Sequence, residues 1–272
     1  MSVKQNLHIH TKYGDGKDTP EEMVKEAIKR GFESIGFSEH SYMDFSDYPY
    51  QMKPEDTPKY KAEITALKEK YKGQIEIFCG IEQEFFSTDS YEGFDYLIGS
   101  VHYLDCGGKI LGFDRGLSET EEYIKNNFGG DGFAFAKQYF NTVCRLTEKG
   151  PFQIIGHFDL LTKNNEKGKF LDTESREYLN LGYEAISALK GKIPFFEVNT
   201  GAISRGYRTA PYPQFEFIKE FKNQGFGALI TSDCHDKNYI DCFYPEAKEM
   251  LLAAGFETIW VLTDNGFSEE KI

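Results

Sequence analysis

The histidines of this 272-residue chain are the residues that most clearly point to chemistry. Each follows or ends a short apolar run, and most have a carboxylate close by in the sequence, as in NLHIH, IGFSEH and ALITSDCH. The six are His8, His10, His40, His102, His157 and His235. Neutral imidazole is a common metal ligand in proteins at physiological pH. A chain that uses all of its histidines in this way is typical of a metalloenzyme.

Two pairs of candidate ligands are spaced so that both members of a pair would share one face of a strand. They are His8 with His10, and Asp233 with His235. Side chains two positions apart on a strand point the same way. One such pair is a weak signal, since it also suits two half-exposed strand residues. Two pairs at opposite ends of the chain indicate a single shared metal site.

The other three histidines also follow apolar runs, and this repeated placement favours a role as ligands over a structural one. Glu82 and Glu84 follow a further run in CGIEQEFF, and either could bind a metal because both would share one face. Asp15 lies in the turn YGDGKD, where an aspartate is ordinary, although it could reach the same site. The residues alone leave the choice between the two glutamates open.

The kinds of candidate ligand indicate which metals the chain binds. Imidazole and carboxylate without thiolate suit zinc, manganese or iron in a reactive site better than a structural zinc. With one of the two glutamates counted, nine candidate ligands exceed the need of one ion, so we expect two to three divalent metal ions. Such a cluster can lower the pKa of a bound water and neutralise a phosphoryl group.

The cysteines are scattered and form no CxxC motif. They are Cys79, Cys106, Cys144, Cys234 and Cys242. An odd number without pairing, and without a signal peptide, predicts a reducing cytoplasm. Cys234 lies between Asp233 and His235, but on a strand its side chain would point away from theirs, so we do not expect it to bind metal.

Charge and hydropathy argue against two classes of partner. The net charge of −13 makes the chain a poor electrostatic match for nucleic acid, although a small anionic substrate stays compatible with it. No apolar run reaches the ~18 residues needed to span a bilayer, so we expect no membrane segment. The oligomeric state is not predicted.

Strand-like and helix-like segments alternate along the chain. Seven apolar runs are predicted as strands: NLHI, ESIGFS, IEIFCGI, DYLIGSV, FQIIG, PFFEV and GALITS. Helices are predicted at 19–31, 57–73, 131–149, 173–190, 213–224 and 245–254. The first two share a Thr-Pro start and a closing glycine. FETIWVLTD is predicted to be a further strand or an edge piece.

Strands joined by helices predict an α/β fold with a mostly parallel sheet, because crossover helices connect parallel strands. Polar residues follow every predicted strand. A closed or nearly closed seven-stranded barrel would gather them at the C-terminal ends of the strands, whereas an open sheet would spread them along an edge. No linker-like tract divides the chain, so we expect one domain over residues 1–272.

Three long segments without periodicity are expected to form loops over the mouth of the barrel. They span 41–56, 103–118 and 200–212. Arg205 and Arg208 lie in the last of them, where either could bind a phosphate, and Arg115 is a weaker candidate. The alternative for all three arginines is solvated loop charge.

Four further residues are expected near the site. Glu197 and Asn199 end a strand and share a face, so we expect at least one of them to orient metal-binding histidines. The alternative is that they only complete hydrogen bonds at the strand end. Tyr207 and Tyr212 could line the substrate pocket or pack locally.

The chain resembles the PHP (polymerase and histidinol phosphatase) family over nearly its full length, and within it the histidinol-phosphate phosphatases most closely. The segments that carry the resemblance are, in order, HIHTKYGDG, GFSEH, GIE, GSVHYL, IGHFDLL, EVNT and TSDCH. The resemblance implies a distorted (β/α)7 barrel with a trinuclear metal site at the C-terminal ends of the strands.

The resemblance also implies which residues hold each metal. The implied ligands are His8, His10 and Asp233 for the first metal, His102 and His157 for the second, Glu82 as a bridge between them, and Asp15, His40 and His235 for the third. Position 15 is a histidine in some members of the family.

The implied reaction is hydrolysis of a phosphomonoester. A water bridging the metals, held by Glu82, Asp233 and His235, would attack phosphorus in line, without a covalent phosphoenzyme. The implied substrate is L-histidinol phosphate, which gives L-histidinol and phosphate in histidine biosynthesis. Two alternatives stay open: a phosphatase of the same family acting on a phosphotyrosine protein or a nucleotide, and a metal-binding domain without turnover.

Overall fold

Seven parallel strands form a nearly closed barrel in the computed structural model, which describes residues 4–45 and 50–272. The strands are β1 (Gln5–Asn6), β2 (Ser34–His40), β3 (Glu76–Glu84), β4 (Tyr96–Ser100), β5 (Tyr103–Asp105), β6 (Ile110–Gly112), β7 (Ile154–Ile155), β8 (Phe195–Asn199), β9 (Gly227–Thr231), β10 (Thr258–Thr263) and β11 (Gly266–Lys271). The main sheet has the order β1-β2-β3-β4-β7-β8-β9, and every neighbouring pair is parallel. The predicted (β/α)7 architecture is confirmed.

The barrel closes between its first and last strands. Ile9 and Cys234 form an isolated parallel bridge, and the His10 N–H donates to the carbonyl of Cys234 at 3.0 Å. Lower down, the Asn6 amide donates to the Ser232 hydroxyl at 2.7 Å. Closure matters for the site because it brings the two ends of the chain, and their paired candidate ligands, side by side.

All six predicted helices are present. The helices are α1 (Pro20–Lys29), α2 (Thr57–Lys70), α3 (Leu117–Phe128), α4 (Gly132–Val143), α5 (Asn165–Gly168), α6 (Arg176–Leu189), α7 (Gly201–Ser204), α8 (Phe215–Gln224) and α9 (Tyr244–Ala253). None of the helices in the described residues is long and apolar enough to cross a membrane. Helix α3 was not predicted, because only a narrow stripe around Tyr123 and Ile124 is buried.

The first helix starts as predicted, but the second does not. At α1 the Thr19 hydroxyl accepts from the Glu22 N–H, and the Glu22 carboxylate accepts from the Thr19 N–H at 2.9 Å, which is a capping box. Helix α2 begins at Thr57 itself, and Asp56 occupies the N-cap position without a side-chain cap. The Thr-Pro pattern therefore marks the region of a helix start, not its first residue.

The three predicted loops are partly ordered by short elements. The 103–118 segment contains β5 and β6, which pair antiparallel as a hairpin. The 200–212 segment contains the four-residue helix α7. In the 41–56 segment, residues 41–45 and 50–56 are irregular, and residues 46–49 lie outside the described part of the chain.

The C-terminal segment forms a strand as predicted, but in a separate hairpin. Strand β10 pairs antiparallel with β11 and covers the N-terminal end of the barrel. The Gln5 side chain joins the two parts: its amide donates to the carbonyl of Leu262 at 2.7 Å and accepts from the Leu262 N–H at 2.8 Å. The rings of Trp260 and Phe267 pack on Phe195 at the start of β8.

We expect the Gln5→Ala substitution to lower the free energy of unfolding by about 1–3 kcal/mol, because it leaves two buried backbone groups of Leu262 without partners. Urea unfolding followed by circular dichroism measures the change. Gln74→Ala, at an exposed position, is the control and should change stability by less than about 0.5 kcal/mol. Equal effects of the two substitutions would contradict a stabilising contact between Gln5 and the C-terminal hairpin.

Candidate metal centre

The C-terminal ends of the barrel strands gather all nine residues that the resemblance implies as metal ligands. Glu82 lies at the centre and is 1% exposed. Its two carboxylate oxygens lie 2.7–3.6 Å from imidazole nitrogens of His8, His10, His40, His102 and His157. One acid in contact with five imidazoles is an arrangement that suits a ligand shared between cations.

The structure distinguishes the two glutamates that the sequence could not. Both belong to β3, but Glu84 turns away from the centre to support His102. One oxygen of Glu84 accepts from the His102 backbone N–H at 2.7 Å and lies 3.0 Å from His102 Nδ1. The Nε2 of His102 is thereby turned toward Glu82, at 3.5 Å from its Oε1. Glu84 orients a candidate ligand and Glu82 faces the centre.

Asp15 has a different position from that of an ordinary turn aspartate. Its Oδ1 lies 3.1 Å from His235 Nε2, 3.8 Å from His40 Nε2 and 4.0 Å from His10 Nδ1. The turn folds tightly onto the segment that follows β1, since a Cβ at Gly16 would lie 2.3 Å from the His10 carbonyl oxygen. A glycine is therefore needed at position 16 for Asp15 to reach the imidazoles.

The Asp233–His235 pair reaches the site by a different route from the predicted one. Strand β9 ends at Thr231, and Asp233 has a φ of 43°, in the left-handed region. Strand alternation therefore does not explain why both side chains face the centre. Asp233 Oδ1 lies 3.3 Å from His10 Nε2 and 3.7 Å from His235 Nδ1. A left-handed backbone in a non-glycine residue is strained and is common at functional sites.

Glu197 and Asn199 both contact the candidate ligands. One oxygen of Glu197 lies 2.9 Å from His8 Nδ1, and the other accepts from the His157 backbone N–H at 2.7 Å. The Asn199 amide donates to Glu197 at 2.8 Å and lies 3.4 Å from Asp233 Oδ2. A carboxylate behind a histidine fixes the ring so that its other nitrogen faces the metal.

The donor atoms of the centre fit divalent cations. Several are buried and have no hydrogen-bond partner among the described residues: His8 Nε2, His10 Nδ1, His10 Nε2, Asp15 Oδ1 and Glu82 Oε2. Within residues 4–45 and 50–272, four overlapping groups of three or four residues each bring one ligand atom per residue within 4.8 Å of the others. Buried polar atoms are costly without partners, and cations would satisfy these.

Electrostatics keeps Glu82 charged and His10 neutral. Burial alone would raise the pKa of Glu82, but the imidazoles of His40, His8 and His102 hold it well below its ordinary value. Burial, with His235 and His40 nearby, lowers the pKa of His10 to about 3, so its imidazole is neutral. A charged carboxylate and a neutral imidazole are the forms that bind cations. Despite their burial, nearby carboxylates raise the pKa of His8, His40 and His102, so these imidazoles would release a proton on binding a cation.

A cavity of roughly 300 Å³ opens above the centre. Residues from all three predicted loops line it, including Met43, Tyr103, Asp114, Arg115, Arg205 and Tyr207. The cavity is therefore enclosed by the segments expected over the mouth of the barrel, and its floor is the cluster of imidazoles and carboxylates.

The structure separates the two arginines that the sequence offered together. Arg205 lines the cavity, and its guanidinium donates to the Asp233 carboxylate at 3.0 Å and to the Asp233 carbonyl at 2.7 Å. Arg208 is absent from the lining of this cavity. It donates to the Thr162 hydroxyl and lies over the ring of Tyr212, which is fully buried. The pocket-lining alternative thus holds for Tyr207 and not for Tyr212.

Sequence reasoning missed a buried acid beside His40. Glu39 is fully buried, and one of its oxygens accepts from the Thr11 N–H at 2.9 Å and from the Thr11 hydroxyl at 2.5 Å. Burial raises the pKa of Glu39 to about 8. Its contacts fix the start of the turn that carries Asp15. The only signal in the sequence was an acid directly before a candidate ligand.

A parallel barrel whose strand ends present imidazoles and carboxylates around one cavity defines a class of metal-dependent enzymes that work at the barrel mouth. The model of the PHP domain family matches residues 6–201, and the chain belongs to this family. The last two candidate ligands, Asp233 and His235, lie beyond the matched residues.

Several known proteins are similar to this chain. A "Probable histidinol-phosphatase" of Deinococcus radiodurans is 27% identical over 93% of this chain and 94% of its own length. The "Histidinol-phosphatase" of Bacillus subtilis is 26% identical over 89% and 97%. Each relative therefore aligns with this protein over nearly the whole length of both chains.

Two solved structures share the fold. The hisK chain of Listeria monocytogenes has a TM-score of 0.79 at 22% identity, covering 89% of this chain and 99% of its own. Histidinol phosphate phosphatase of Lactococcus lactis, complexed with zinc, L-histidinol and phosphate, has a TM-score of 0.69 at 19% identity, covering 97% and 98%. At these identities the likeness supports the fold alone.

We expect the Glu197→Gln substitution to weaken metal binding about 10- to 100-fold, because the amide no longer fixes the ring of His8 as a charged acceptor does. Competition with a chromophoric chelator measures the affinity, and elemental analysis measures the number of ions. Glu249→Gln, at an exposed position on α9, is the matched control. Unchanged affinity in the Glu197 variant would contradict its orienting role.

Proposed function

We propose that this protein is a metal-dependent phosphomonoesterase that hydrolyses L-histidinol phosphate to L-histidinol and phosphate. The single observation that carries the reaction class is the cluster of nine imidazole and carboxylate residues, seven of which line a cavity that is also lined by Arg205. The names of the relatives support this substrate, which connects the protein to histidine biosynthesis.

We further propose two to three divalent ions in this centre. The proposed ligands are His8, His10 and Asp233 for one ion, His102 and His157 for a second, Glu82 shared between them, and Asp15, His40 and His235 for a third. Zinc, manganese and iron all suit this donor set. Bound ions of this kind supply charge that neutralises a phosphoryl group and acidifies water.

The chain's own residues have distinct parts in the proposed hydrolysis. Arg205 is held by Asp233 with its guanidinium at the cavity wall, where it would bind phosphate oxygens and offset charge that grows on them. Glu82, Asp233 and His235 surround the position proposed for the nucleophilic water. Glu84 and Glu197 keep the imidazoles of His102 and His8 oriented.

The whole chain, residues 1–272, is proposed to act as one domain. Support comes from Asp233 and His235, which approach Glu82, His10 and Asp15 from the far end of the sequence. The proposed location is the cytoplasm, and the support for it is the cysteine usage: all five cysteines are free thiols.

We expect chelation to abolish hydrolysis of L-histidinol phosphate, and added zinc, manganese or iron to restore it. The reason is that the imidazoles and carboxylates of the centre can hold a phosphate only through bound cations. Phosphate release is measured before and after reconstitution. The same preparation is assayed with a phosphotyrosine peptide and a nucleoside monophosphate. A higher kcat/KM for either of these compounds would favour it as the substrate. A metal-loaded protein that hydrolyses none of the three would instead be a metal-binding domain without turnover.

We expect Arg205→Ala to lower kcat/KM about 100-fold, since it removes a charged hydrogen-bond donor from the phosphate. Arg208→Ala should lower it less than about fivefold, because its guanidinium lies outside the cavity. Metal content is measured in both variants to exclude loss of ions. The reverse order of the two effects would make Arg208 the phosphate ligand.

A further inference from the structure

We propose that Asp114 binds the ammonium group of the substrate and so selects amino-alkyl phosphates. This inference rests on the proposed phosphomonoesterase function, and it assigns the part of the substrate that the metal centre does not contact. The candidate group must be anionic, must line the cavity and must not already serve the centre.

Only one cavity-lining carboxylate in the described residues meets these conditions. The acids that line the cavity are Asp15, Glu82, Glu84, Asp114 and Asp233. Each of the other four carboxylates has an oxygen within 3.3 Å of a histidine nitrogen and so already serves the centre. Asp114 is instead paired with Lys163, whose Nζ lies 2.7 Å from its Oδ1. Its side chain is 26% exposed, so a ligand can reach it.

The position of Asp114 is fixed relative to the metal centre. The residue before it, Phe113, donates its backbone N–H to the His102 carbonyl at 3.1 Å. Asp114 therefore follows directly from the segment that is tied to a candidate ligand. On its other side Lys163 lies 4.5 Å from the centroid of the Tyr207 ring, which belongs to the same loop as Arg205. Asp114 thus belongs to the same cavity wall as the proposed phosphate site.

The distance between the charges of the substrate suits this wall. In L-histidinol phosphate only two carbon atoms separate the amino nitrogen from the ester oxygen. With the phosphate on the metal centre and Arg205, the ammonium has a short reach and must find an anion close by. Asp114 is such an anion: burial would raise its pKa, but Lys163 and His102 hold it below the ordinary value.

The Lys163–Asp114 pair explains how a partly buried anion is tolerated before the substrate binds. The lysine offsets the charge of the carboxylate at one oxygen, and an incoming ammonium would contact the carboxylate as a second cation. An alkyl phosphate without an amino group offers no such contact. Discrimination then comes from the ammonium and not from the phosphate, which both kinds of substrate carry.

The test compares L-histidinol phosphate with 3-(imidazol-4-yl)propyl phosphate, which lacks only the amino group. In the unmodified protein we expect a higher kcat/KM for the amino substrate. Asp114→Asn should lower that value about 10- to 100-fold, mainly through KM, while changing the value for the amino-free analogue less than about threefold. Asp264→Asn, at an exposed position, is the matched control and should leave both values unchanged.

A second variant separates the charge effect from damage to the cavity. Lys163→Gln removes the cation that offsets Asp114, so the preference for the amino substrate over the analogue should stay or increase. The inference would be overturned if Asp114→Asn lowered kcat/KM equally for both substrates, or left the ratio of the two kcat/KM values unchanged. Either result would leave the phosphatase assignment intact. If the unmodified protein hydrolyses neither substrate but hydrolyses other phosphomonoesters, the proposed function itself fails.

Discussion

The site depends on keeping one carboxylate, that of Glu82, almost completely out of water in the middle of five imidazoles. A buried charge of this kind costs several kcal/mol unless opposite charge and hydrogen bonds compensate it. The compensation comes from several strands at once, because no single strand carries enough donors. A closed parallel barrel meets that requirement, since it turns the ends of all its strands toward one axis.

Rigid support surrounds this central acid. Glu84 and Glu197 are buried and hydrogen-bond to histidines from behind, so the free ring nitrogens face inward. Glu39 supports the turn that carries Asp15. Close packing at Gly16 holds the same turn near His10. Metal ligands kept in place in this way lose little conformational freedom when a cation binds, which favours tight binding.

Above the centre, the cavity has two kinds of charge on its wall. Arg205 is anchored on Asp233 and faces the region where a phosphate would meet the imidazoles. Asp114 and Lys163 form an ion pair that joins the loop after β6 to the segment after β7. An acidic protein can therefore accept an anionic substrate, because the local charge at the site differs from the net charge of the chain.

Much of this could be predicted from the sequence, because it depends on local patterns. Alternating apolar and amphipathic segments predicted the barrel, and imidazoles after apolar runs identified the candidate ligands. Periodicity missed helix α3, whose buried stripe is narrow, and the hairpin of β5 and β6, whose strands are short and partly exposed. It also assigned Asp233 and His235 to a strand that ends before them.

Only the tertiary structure decided what depends on distances between remote segments. Glu82 and Glu84 would share one face of their strand by sequence pattern alone. The position of His102, just after the neighbouring strand β4, determines which of them faces the centre. Arg205 and Arg208 lie three residues apart in one loop. The guanidinium of Arg205 is held by Asp233 at the cavity, whereas that of Arg208 packs over the buried ring of Tyr212. The sequence by itself determined which side chains can bind a cation. The closure of the barrel decided which of them meet, because contact depends on three-dimensional packing that no local pattern encodes.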